Sequence, residues 1–171
     1  ERQKTIKDAI ENLLIKERLD LAPNLRELDQ KIEKIELSLR ALIERKMANN
    51  ISELPPHISE KINLLVKGAL KRNAALNAEH YQKLEGMLEY TDLRGLQDII
   101  TAKSLWQKFQ DIFNNKETLF GKFKQMAELR NSIAHNRRVD EVTQKEGEAA
   151  LIWFDQVLKR EILQTDQVIE Q

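Results

Sequence analysis

Cysteine is absent from the chain, and with it go disulfides, thiol nucleophiles and thiolate metal ligands. That suits a reducing interior, and the cytoplasm is the expected compartment. The three histidines, at 57, 80 and 135, are scattered, so neither a structural zinc site nor any other cofactor is expected. Three prolines and five glycines are too few for a low-complexity linker or a loop-rich β fold. Excess charge of either sign is also missing: 28 basic residues balance 28 acidic ones. The balance argues against a strongly basic nucleic-acid scaffold, though it leaves room for a local basic patch. No apolar run approaches about 18 residues, so no membrane span is expected, and no signal peptide is visible. The first residue is Glu1, with no initiator methionine. The chain therefore reads as a processed protein or a piece of a longer one, whose other domains are expected on its N-terminal side.

What is present is charge, at 33% of residues, laid over apolar residues at helical spacing. Residues 5–21 place Ile6, Ile10, Leu13 and Leu14 on one face. Pro23 then ends this helix or starts the next. From Asn24 onward Leu25, Leu28, Ile32, Ile35, Leu39 and Leu42 form a heptad stripe flanked by charge, which predicts a long bundle helix rather than a free coiled coil. Asn49-Asn50 and Pro55-Pro56 break it. A third helix carries Ile58, Ile62, Leu65, Ala69 and Leu76 on one side, and Gly86 makes the piece over 78–90 short or kinked. Thr91-Asp92 supplies an N-cap for a helix holding Leu96, Ile99, Trp106, Phe109 and Phe113. Asn114-Asn115 ends that helix and caps the next, whose buried face is Leu119, Phe123, Met126, Leu129 and Ile133. Thr143 and Glu146 have the spacing of a capping box. They open a last helix with Ala150, Trp153, Phe154, Val157 and Leu158 inward. No segment alternates with period two, and no repeat is evident. The expected fold is all-α, an up-and-down helical bundle with a long N-terminal heptad-patterned helix. The expected division is an N-terminal helix or linker over 1–23, the helical domain over 24–164 and a tail over 165–171.

Chemistry gathers only over residues 128–138, where Arg130, Asn131 and His135 stand among apolar Leu129, Ile133 and Ala134. Asn131 and His135 share a helix face at i,i+4. Arg130 and His135 lie roughly 140° apart on an unbroken helix. They meet around one ligand only if the helix loosens at His135 or if two chains bring their copies together. One alternative is structural: Arg130 tied to Asp92, Asp140 or Glu141, with His135 and Asn136 capping the helix C-terminus. His57 and His80 read as surface residues, and Trp106 and Trp153 as core.

The run Leu129-Arg130-Asn131-Ser132-Ile133-Ala134-His135-Asn136 resembles the signature of the HEPN superfamily, small helical domains bearing an Arg, a polar residue and a His. The resemblance extends through residues 90–100, the Trp106/Phe109/Phe113 helix and residues 35–43, and covers most of 24–158. The branch it resembles is the one found at the end of a eukaryotic nuclear mRNA-surveillance endoribonuclease and in bacterial defence-associated proteins. It implies a HEPN-like bundle and a metal-independent endoribonuclease that binds RNA as a homodimer with facing motifs. In that reading His135 exchanges the proton and Arg130 holds phosphate oxygens. Asn131 orients the imidazole or a phosphate oxygen, and Arg137 and Arg138 bind neighbouring phosphates. Ser132 is off the face and has no role. The other functional class is a non-catalytic helical module that dimerises its parent or senses a ligand. An exposed Arg130 and His135 in an open cleft favour the enzyme; burial of both in satisfied hydrogen bonds favours the module.

Overall fold

A computed structural model describes residues 23–135 and 138–169, with side chains to 163. The expected helix over 5–21, and Asn136 and Arg137, lie outside the described residues. Within them the chain is an all-α bundle of seven α-helices with no strand.

The heptad stripe forms α1 (Pro23–Met47), and Leu28, Ile32, Ile35, Leu39 and Leu42 are buried along it. Solvent-side charges pair along the helix, as in Lys31–Glu27. The helix stops at Ala48 and Asn49, both at positive φ, a left-handed ending that asparagine tolerates better than most residues. Pro56 then occupies the first position of α2 (Pro56–Arg72), where its missing N–H costs nothing. The buried face of α2 is Ile58, Ile62, Val66 and Ala69. Leu65, expected inward, is 42% exposed and Val66 takes its place, while Leu76 lies past the helix end.

After a 3₁₀ turn at His80–Gln82 comes α3 (Leu84–Leu88), five residues long. Its Gly86 is a packing requirement rather than a weak point, because a Cβ there would collide with the His80 carbonyl. Asp92 caps α4 (Leu93–Thr101), accepting from Gly95 N at 2.8 Å. The expected continuous helix through Phe113 is not formed. The chain breaks after Thr101 and restarts as α5 (Trp106–Phe113). Continuing the face of Leu96 and Ile100 by a further turn would put Lys103 and Ser104 in the core, so the helix ends and Leu105 turns inward instead. Lys116 mends the break. Its Nζ donates to Thr101 O at 2.8 Å and lies 5.2 Å from the centre of the Trp106 ring.

Asn115 caps α6 (Lys116–Ala134) through Thr118 N at 2.9 Å. The last helix, α7 (Glu141–Ile169), begins earlier than the Thr143–Glu146 spacing predicts. Its cap is Asp140, whose carboxylate takes both the Thr143 N–H (2.9 Å) and the Thr143 hydroxyl (2.7 Å). Thr143 is the donor to the cap, not the cap itself.

Helices α6 and α7 form the most extensive pair and run antiparallel. Phe123 meets Phe154 edge to face at 5.0 Å, and at the other end Gly147 lies directly beneath Leu129. The remaining neighbours of α6 are α4 and α1, whereas α5 reaches α7 by stacking Phe113 on Trp153. Phe109, Phe123 and Phe154 fill the centre.

Candidate functional site

Helix α6 buries Leu119, Phe123, Met126, Leu129 and Ile133, and this fixes where its polar residues point. Arg130, next to Leu129, emerges half-exposed towards α1 and brings Nη1 to 3.0 Å from Glu36 Oε1. Glu36 sits beside the apolar stripe of α1 and is buried. Its other oxygen pairs with Arg40 at 3.3 Å, one turn on. Arg40 in turn donates Nε to Leu88 O and Nη2 to Thr91 O, both at 2.9 Å. A single buried carboxylate thus joins α1 to α6, and through Arg40 to the junction of α3 and α4.

The two arginines are held differently. Arg40 makes directed hydrogen bonds. Arg130 is close enough to Glu36 for an ion pair, yet Glu36 Oε1 accepts no hydrogen bond. The distance makes the contact Coulombic, and the direction of the N–H groups keeps it from being more. Arg130 also acts on Asp92. Burial raises the Asp92 carboxyl, but the Gly95 N–H, Lys61 at 2.9 Å and the Arg130 charge outweigh it and hold Asp92 below the ordinary aspartate range.

Asn131 and His135 point elsewhere. Asn131 is exposed and lines a groove of 360 Å³ between α4 and α6. His135 is exposed at the C-cap of α6, its backbone N–H bonded to Asn131 O at 3.0 Å. Among the described residues its ring has no hydrogen-bond or ion-pair partner. Because α6 is unbroken to Ala134, Arg130 and His135 stay on different sides of one helix. The fold therefore brings Asn131 and His135 onto one face and turns Arg130 to the next.

Arg138 is exposed and lines a different cleft, of 730 Å³, whose walls also hold Asp140, Glu141 and Glu148. Lys145 lines it as well, so two cations and three acids share the cleft. The acids expected to tie Arg130 down have other duties: Asp140 caps α7, and Glu141 pairs with Lys145 at 2.6 Å. The acid that does pair with it, Glu36, lies in the 35–43 stretch singled out in the sequence, where it had no assigned role. The available signal was Glu36 and Arg40 at i,i+4 beside a buried stripe.

His57 is exposed, 3.8 Å from Asp98, and His80 pairs with Glu89 at 2.6 Å. Among the described residues no group of three or more His, Cys, Asp or Glu side chains is placed to hold a metal ion, and no helix is long and apolar enough to cross a membrane. No protein-family model, curated protein or solved structure matches the chain.

Proposed function

We propose that this chain is a metal-independent endoribonuclease domain of a larger, defence-related protein, acting on RNA in the cytoplasm as a homodimer. The observation that carries it is the end of α6. An exposed imidazole with no partner among the described residues lies one turn beyond the exposed Asn131 amide, and on the adjoining face Arg130 is held by charge and not by hydrogen bonds. RNA supplies its own nucleophile. In the proposed reaction His135 takes the 2′-hydroxyl proton as that oxygen attacks the adjacent phosphorus. Arg130 balances the charge on the non-bridging oxygens. The P–O5′ bond breaks, and His135 of a second copy returns a proton to the leaving oxygen. Two copies are needed because Arg130 and His135 of one chain face different ways. The test is incubation of the purified domain with mixed RNA in EDTA beside His135→Ala. Cleavage by the wild type alone supports the reading; equal cleavage by both overturns it.

One observation favours a second reading, a helical dimerisation or ligand-sensing module. The Arg130–Glu36 contact gives Arg130 a structural occupation between α6 and α1. On that reading Arg130→Ala loses the fold rather than an activity.

A further inference from the structure

The face of α6 that ends in His135 has a second half. Phe120, Lys124, Ala127, Asn131 and His135 recur at spacings of three and four, so they form one stripe along the helix. All but His135 line the groove against α4. Buried Leu93 and Phe123 close its floor, and Phe120 stands at its edge with 41% of its surface exposed. The other large apolar side chains of the helix, Leu119, Phe123, Met126, Leu129 and Ile133, are buried, so Phe120 is the one that faces the groove mouth. Opposite it, Gln97 of α4 is only 6% exposed and borders the groove. Its side-chain amide makes no hydrogen bond to the described residues and is not among the side-chain atoms sealed from solvent without a partner, so its polar end opens onto the groove. Arg94 and Lys124 flank the mouth, each in an i,i+4 ion pair, with Asp98 at 3.2 Å and Glu128 at 4.0 Å. Such exposed pairs are weak enough for a phosphate to displace.

These features share one solution. An exposed ring offers a face for stacking. An unpartnered amide in the groove wall offers an NH2 donor group and a carbonyl acceptor in one plane. Two displaceable cations sit at the rim, and 360 Å³ lies at the small end of ligand-site volumes. We infer that the groove is a subsite for one unstacked base of single-stranded RNA, held between Phe120 and the Gln97 amide with its phosphates on Arg94 and Lys124. The inference rests on the ribonuclease reading and extends it from the cut phosphate to recognition. Asn131 belongs to both halves, at the groove end nearest His135. About 12 Å of helix axis separates Ala127 from His135, so the base bound here is not the one beside the broken bond. Aromatic stacking is the usual means of gripping single strands, whose bases are free to splay.

The experiment measures binding of a short, labelled, 2′-O-methyl single strand to the full chain in EDTA at low salt, by fluorescence anisotropy. The modified strand cannot be cut, so binding is read separately from cleavage. Phe120→Ala is expected to lower affinity by about five- to a hundred-fold, with a melting temperature near wild type because Phe120 is a surface residue. Phe120→Trp should keep the affinity and add an emission that the bound base quenches. An abasic strand of equal charge should bind wild type and Phe120→Ala alike. Wild-type affinity in Phe120→Ala, tight binding of the abasic strand to wild type, or no binding of the normal strand at all would each overturn the groove assignment. Were Phe120→Ala to misfold, Phe120→Trp quenching and the abasic strand would decide. Unmodified RNA tells the two ideas apart. If it stays intact while the Phe120 effects stand, the ribonuclease reading falls and the groove remains. If it is cut while Phe120→Ala binds normally, the groove alone falls.

Discussion

Arg130 stands 3.0 Å from Glu36, and the carboxylate oxygen it faces accepts no hydrogen bond. The pair matches charges without matching directions. A guanidinium held this way has a fixed neighbourhood but an unfilled fork, and planar recognition of a phosphate needs that fork free. Glu36 is different, because its one buried carboxylate serves two arginines, one at each oxygen.

Removing Glu36 should therefore harm the fold more than removing Arg130. Glu36→Ala leaves Arg40 partly buried with only carbonyl partners. It is expected to cost about 3 kcal/mol in denaturant unfolding, near the low end for breaking a buried pair. A loss well below about 1 kcal/mol would show that the Leu88 and Thr91 carbonyls hold the junction unaided.

Arg130→Ala and His135→Ala separate chemistry from structure. Each is expected to lower RNA cleavage by about a hundred-fold or more. The double variant should be little worse than the weaker single one, since both act on one step. Arg130 is 41% exposed, so its loss should destabilise by no more than about 1 kcal/mol. A circular-dichroism melt showing Arg130→Ala unfolded at room temperature would favour the structural role.

Cleavage products carry their own signature. Attack by the 2′-hydroxyl leaves a 2′,3′-cyclic phosphate and a 5′-hydroxyl, and a DNA strand of the same sequence should resist. A base on one copy and an acid on the other should give a bell-shaped pH profile. With a net charge of zero, binding should rest on few phosphates and decline as salt rises. Mass spectrometry of the ends checks the chemistry, and a 3′-hydroxyl with a 5′-phosphate would refute it.

Asp92 supplies a pH test of the fold. Its folded carboxyl lies below the unfolded value of about 3.9. The stabilisation is complete above that unfolded value and drains away as pH falls through the folded one. Asp92→Asn keeps a good N-cap but loses the attraction to Lys61 and Arg130. The variant should melt below wild type at pH 7, with the gap closing below about pH 4. A gap that is constant with pH would mean the charge contributes nothing.

Gly147→Ala should be costly although alanine is the better helix former. A Cβ at Gly147 would come within 2.6 Å of Leu129 Cβ. The expected loss is about 1–3 kcal/mol from overpacking, read by thermal melting. RNA cleavage should also fall, because Leu129 moves with Arg130. A stabilised variant would show that α6 and α7 can part at this end.

What the sequence disclosed and what it hid divide along one physical line. The stripe of α1 and the caps at Asp92 and Asn115 are local patterns, readable from residues a few places apart. The break after Thr101 was also written locally, in Lys103 and Ser104, but the aromatic run beyond them masked it. The partner of Arg130 was not legible, because only the tertiary fold brings α1 beside α6. Arg130, Asn131 and His135 stood out by residue type alone. Phe120 and Gln97 did not, since a phenylalanine and a glutamine on separate helices look ordinary until one is found exposed and the other buried.

The bonds of Arg40 to Leu88 and Thr91 span 48 and 51 residues, and Arg130 lies farther still along the chain from Glu36. Contacts of that reach close late, after local helices have formed, because the loop entropy must be met first. On a ribosome, which makes proteins from the N-terminus, α1 has to wait for five more helices before its carboxylate finds Arg130. A nascent chain that stalls or is cut before α6 therefore has Glu36 but neither Arg130 nor His135, and the Glu36–Arg130 contact forms only once α6 has been made.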